Sequence, residues 1–195
     1  MRCHFTAVGR VVIAALFAGL AGCPAPRPGL HLVTHDPDRL AMRVGEQEVE
    51  AVVQGDRHQG RLEGAGIQLR WSGRQLQGNV LGEDISLTVT RTGFFGTRGG
   101  HTLQYSASTF GNEIVAQGRF DDHPNTLRVN GGAIVGSLGQ CSVDLAATMG
   151  IYQGWKQCGD QQQSIWLGVP ATLSNFSAVQ TAAIVVALIG GEGHR

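Results

Sequence analysis

The sequence predicts a mainly β fold: an antiparallel meander of ~18-residue repeats, curling into a roll or barrel-like sheet, with one C-terminal helix. Three observations predict it. Glycines recur at Gly60, Gly78, Gly96, Gly118 and Gly136, with spacings of 18, 18, 22 and 18. Apolar and polar residues alternate behind each glycine, the pattern of half-buried strands. A charge-free apolar run, Ala178 to Ile189, lies near the end of the chain.

The first residues read MRCHFTAVGRVVIAALFAGLAGC. Arg2 and Arg10 precede an apolar stretch from Val11 to Leu20. That stretch is shorter than the ~20 residues a bilayer span needs. A basic start, a short apolar stretch and small residues describe a secretory signal peptide, residues 1–22. Leu20-Ala21-Gly22-Cys23 resembles the lipobox of bacterial lipoproteins. The resemblance covers residues 1–23 only. It implies cleavage before Cys23, a diacylglycerol on its sulfur and acylation (commonly palmitate) of the new N-terminus. Several acyl chains on one residue anchor stably, where a single chain binds marginally. The expected location is therefore the cell envelope. Pro24, standing where an Asp would direct inner-membrane retention, favours the outer membrane.

Residues 23–38 hold most of the prolines and read as a spacer, since proline fixes φ and lacks a donor. The single β-rich domain is expected over 39–195. Seven residues after the repeat glycines come Ile67, Ile85, Leu103, Asn125 and Val143; nine after come Leu69, Leu87, Tyr105, Leu127 and Leu145. Two after come Leu62, Val80, Arg98, Phe120 and Leu138, so Arg98 and Asn125 break the pattern. The glycines are read as turn residues. Five units give about ten strands, too many for one flat sheet. The alternative architecture is a β-solenoid of 18-residue coils.

Cys3 leaves with the signal and Cys23 carries lipid. Cys141 and Cys158 remain in a compartment that permits disulfides and are expected to bond, stapling a hairpin. SIWLGVP reads as a further strand stopped by Pro170. The helix is expected at about 175–189, with Ser174 or Ser177 as cap and Gly190-Gly191 as its end, packed against or plugging the sheet.

Fifteen basic residues face fifteen acidic ones, and the signal removes two arginines, leaving a charge of about −2. There is no basic stripe, so no nucleic-acid partner is expected. All the basic residues except Lys156 are arginine. No G-x-S-x-G, HExxH or P-loop occurs, and no cofactor or metal is expected. His31, His35, Asp36 and Asp38 lie in the spacer, where a solvated linker is the plainer reading. His58, His101, Asp121, Asp122 and His123 fall near turns. Their convergence in one pocket would favour an enzyme. Phe94 and Phe95, in a glycine-rich segment, and Tyr152 with Trp155, between the two cysteines, form the candidate binding surface. The plainer reading places them in the core or against the disulfide.

The functional expectation is a non-enzymatic, membrane-anchored binding or structural module, with an envelope protein or cell-wall component as partner. The alternatives are a hydrolase or metal-dependent enzyme, and a lipid carrier with an apolar cavity in the curled sheet.

Overall fold

The computed structural model describes residues 37–191 of the chain. Cys23, His31, His35 and Asp36 lie outside the described residues. Fourteen strands follow one another: β1 (Arg39–Val44), β2 (Gln47–Gly55), β3 (Gln59–Gly64), β4 (Ile67–Ser72), β5 (Gln75–Val80), β6 (Glu83–Val89) and β7 (Gly93–Arg98) form the first half. The second half is β8 (His101–Phe110), β9 (Glu113–Phe120), β10 (His123–Val129), β11 (Ala133–Leu138), β12 (Cys141–Thr148), β13 (Ile151–Cys158) and β14 (Gln161–Gly168). Each pairs antiparallel with the next, and β14 returns to β1 through Ala41↔Gly168 and Val44↔Ile165. The meander is thus a closed barrel, not a solenoid. Closure removes the unpaired edges that an open sheet would expose.

Alternation decides which face looks inward. In β4, Ile67, Leu69 and Trp71 are buried while Gln68, Arg70 and Ser72 are exposed. The outer wall carries arginines, glutamines, glutamates and serines, such as Glu50, Arg61, Gln77, Gln104 and Arg119. This is the reverse of a transmembrane barrel, whose outer band is apolar.

The repeat glycines are not turn residues. Gly78 pairs with Leu69 and Ile85, and Gly96 with Leu87 and Leu103, in the middle of inward-facing rows. Gly78 (φ +146°) and Gly96 (φ +150°) adopt backbone that side chains avoid, and a Cβ there would collide with the carbonyl oxygens of Gln68 and Ser86. Glycines placed this way bend strands, which is how a sheet gains the curvature to close. The series continues to Gly154, paired with Leu145 and Ile165. The turns use other residues, among them Gly82 and Gly100.

After β14, Pro170 leads a 3-10 turn (Ala171–Asn175) and then helix α1 (Ala178–Ile189). Ser177 caps α1 in a capping box with Gln180, satisfying two backbone donors; Ser174 belongs to the 3-10 turn instead. Every helix residue from Ala182 to Ile189 is buried, on all faces. A helix that is apolar all round requires a wall on every side. The barrel supplies it: α1 occupies the lumen, packing closest to β6–β9.

The antiparallel meander sends successive turns to opposite poles. The chain enters at the pole that carries the 56–58, 73–74 and 90–92 turns, where Val53 N donates to Asp38 O. Helix α1 enters the lumen at this same pole: Thr172 N donates to Pro37 O, and Phe176 meets the Trp71 ring edge-on at 5.4 Å. The helix then runs toward the other pole, where the disulfide lies.

Candidate functional site

The helix C-terminus leaves carbonyls without intrahelical donors. The barrel wall supplies donors to them. Arg98 of β7 donates from Nη1 to Ala187 O, and also to Val186 O at 2.8 Å, which already accepts from Gly190 N. Lys156 of β13 donates from Nζ to Ile189 O at 3.3 Å and to Gly191 O. Both side chains stand on the inward row that Val80, Phe120 and Leu138 occupy in other strands. Cations at a helix C-terminus also offset the negative end of its dipole.

Glu83 completes the arrangement. Its Oε2 accepts from Arg98 Nε at 2.7 Å, and both side chains are largely buried. Burial pulls the Arg98 guanidinium below its ordinary value, and the Glu83 carboxylate acts against that pull. These groups line a cavity of about 210 Å³ at the pole, with Glu46 and Gln163 beside the apolar Val44, Leu81 and Leu188. The arrangement can bind polar groups and fix a helix; it presents no nucleophile aligned with a base.

Cys141 and Cys158 are directly opposed across β12 and β13, with Cα atoms 4.2 Å apart, and form the expected disulfide at this pole. The β12–β13 hairpin is stapled at its open end.

The aromatic surface expected from the sequence does not assemble. Phe94 is 1 % exposed and stacks on Tyr105 at 5.2 Å inside the barrel. Tyr152 is fully buried, its hydroxyl donating to Asn130 O at 2.6 Å. Phe95 and Trp155 point outward from β7 and β13, on well-separated parts of the wall. Alternation explains the split, because neighbouring residues in a strand face opposite ways.

The histidines also divide. His101 Nδ1 lies 2.7 Å from Asp121 Oδ2, and His123 contacts Gln140, all at the cavity pole. His58 lies at the opposite pole, beside Arg57. Burial acts to raise the Asp121 carboxyl, but hydrogen bonds from His101 and Thr102 outweigh it and hold the group below the usual carboxylate range. Asp122 stays in the turn. Among the described residues, no three His, Cys, Asp or Glu are placed to hold a metal ion.

Asn125, the second break in the repeat, also bonds inside the wall. It accepts from Tyr105 Oη and Gly139 N and donates to Gly139 O. Lys156 belongs to the repeat once Gly154 is taken as a further glycine of the series. Placed there, Lys156 falls two residues after its glycine, the position at which Arg98 stands out.

Comparison with protein-family models, with curated proteins and with solved structures finds no match.

Proposed function

We propose that the chain is an envelope lipoprotein anchored through Cys23, whose helix-filled barrel is a non-enzymatic binding or structural module. The observation that carries the reading is the use of the lumen. Its buried charged side chains, Arg98 and Lys156, are committed to holding the chain's own helix, with Glu83 paired to Arg98. A lipid carrier would need the space that α1 occupies. An enzyme would have to rest on His101 and Asp121, since His58 stands at the other pole. The Pro-rich spacer and lipobox support a tether to the membrane, and Pro24 favours the outer one. The cavity pole, with Glu46 and Glu83 in its lining, is then the surface offered to an envelope protein or cell-wall component.

The test is a photo-crosslinking residue at Glu46, on the cavity mouth, against one at Gln117, on the barrel wall, in intact cells. A discrete adduct from position 46 alone supports the reading. Equal labelling from both sites, or none, contradicts it.

A further inference from the structure

The two poles of the barrel differ in chemistry. At the helix-entry pole, three consecutive turns around the rim present exposed Arg57, Arg74 and Arg91. Further round the same rim, the β8–β9 and β12–β13 hairpin tips expose Phe110 (81 %) and Met149 (93 %). Met149 holds a left-handed backbone, φ +48°, that glycine or asparagine fills more readily. Two carboxylates outside the strands share this rim, Asp38 and Asp56, the latter accepting from His58 N and Gln59 N within its turn, so the three arginines leave it net basic. Among the described residues, the turns at the cavity pole carry Glu46, Asp121, Asp122 and Asp160 and no exposed arginine. The described chain begins at the basic, apolar-tipped pole, where Pro37 is hydrogen-bonded to Thr172.

We infer that this pole is a membrane-docking surface for an anionic bilayer. Arginines draw toward anionic headgroups, each strengthening attachment roughly fivefold near the surface. Apolar tips among basic residues suit the boundary between headgroups and acyl chains. The third observation is continuity: the segment bearing Cys23 leaves from this pole, so an anchor there brings it to the membrane first. The spacer alone does not orient the barrel, because about fourteen extended residues reach up to ~50 Å. Docking the pole does, and it turns the cavity away from the bilayer. The inference rests on the lipoprotein reading for the nearness of a membrane, while the contact itself stands on the rim residues.

Hydrogen exchange of the full chain, read by mass spectrometry with vesicles of phosphatidylcholine and phosphatidylglycerol, tests it. Slowed exchange is expected in peptides containing 57, 74, 91, 110 and 149, and none around 46, 121 and 160. On phosphatidylcholine alone, or in the Arg57→Gln/Arg74→Gln/Arg91→Gln variant, that slowing should be lost. Equal slowing at both poles, none at either, or slowing that survives the triple substitution overturns the proposal. The intact mass reports acylation of Cys23 separately. An acylated chain without pole protection sinks the docking and leaves the anchor. An unacylated chain with pole protection does the reverse.

Discussion

Arg98 and Lys156 reach the same helix end from opposite walls of the barrel, one from β7 and the other from β13. Arg98 is also paired with Glu83, so its removal leaves a largely buried carboxylate alone. Breaking a buried pair from one side costs about 3–5 kcal/mol. Arg98→Leu should therefore lower the urea midpoint sharply, and Arg98→Leu/Glu83→Leu should recover much of the loss. If the double variant is no more stable than the single one, the pair is not the source of the penalty.

Lys156→Met keeps an unbranched side chain one atom shorter and removes the donors. Losing hydrogen bonds from a charged group costs about 1.5–3 kcal/mol. Equilibrium unfolding should show a loss of that order, and a neutral substitution would mean that the helix end finds other partners.

The mid-strand glycines should tolerate substitution worse than the turn glycines. Gly78→Ala forces a Cβ onto the Gln68 carbonyl at φ +146°. A loss above ~2 kcal/mol is expected, as for a locally over-determined backbone. Gly100 has open space around it, so Gly100→Ala should cost only the ~1–2 kcal/mol of a left-handed residue. Comparable losses at both sites would argue against the bending role.

These glycines also mark what the sequence made legible and what it did not. Alternation such as Ile67-Gln68-Leu69 states the inward face directly, and Ser177 with Gln180 states the helix start. The 18-residue period was visible, yet glycine is both the commonest turn residue and the residue of strand bends, and spacing alone does not separate them. The first two strands were harder to see, whereas the stapled hairpin and SIWLGVP already marked the last two. Residues 39–55 lack the mid-strand glycine, and Gly154 is followed two residues on by Lys156, where four of the five other units have Leu62, Val80, Phe120 or Leu138. Of the site, Arg98 was legible as a break in pattern. The helix carbonyls that explain it lie almost ninety residues away in sequence, beyond any local signal.

Reduction of Cys141–Cys158 frees a loop closed over a sequence separation of 17. The chain-entropy treatment assigns about 3 kcal/mol to such a closure. Cys141→Ser/Cys158→Ser should unfold at correspondingly lower denaturant and should not change under reducing agent. An oxidised wild type no more stable than the reduced one would contradict the assignment.

Asp121 is held below its unperturbed value of 3.8 by His101 and Thr102. Its contribution is present above that value and is lost as the pH falls through the lower, folded-state one. The group is partly exposed, so the effect stays within about 1 kcal/mol. Asp121→Asn should flatten the acid limb of the stability profile and leave its shape above pH 7 unchanged. A substitution that leaves the acid limb intact would show that Asp121 does not contribute.

Helix α1 is the filling of the barrel and not an appendage. Native-state hydrogen exchange of its amides tests this most directly. Residues 182–189 should exchange only through global unfolding, with the same free energy as the central amides of β8. Exchange of the helix at a much lower free energy, while β8 stays protected, would contradict it.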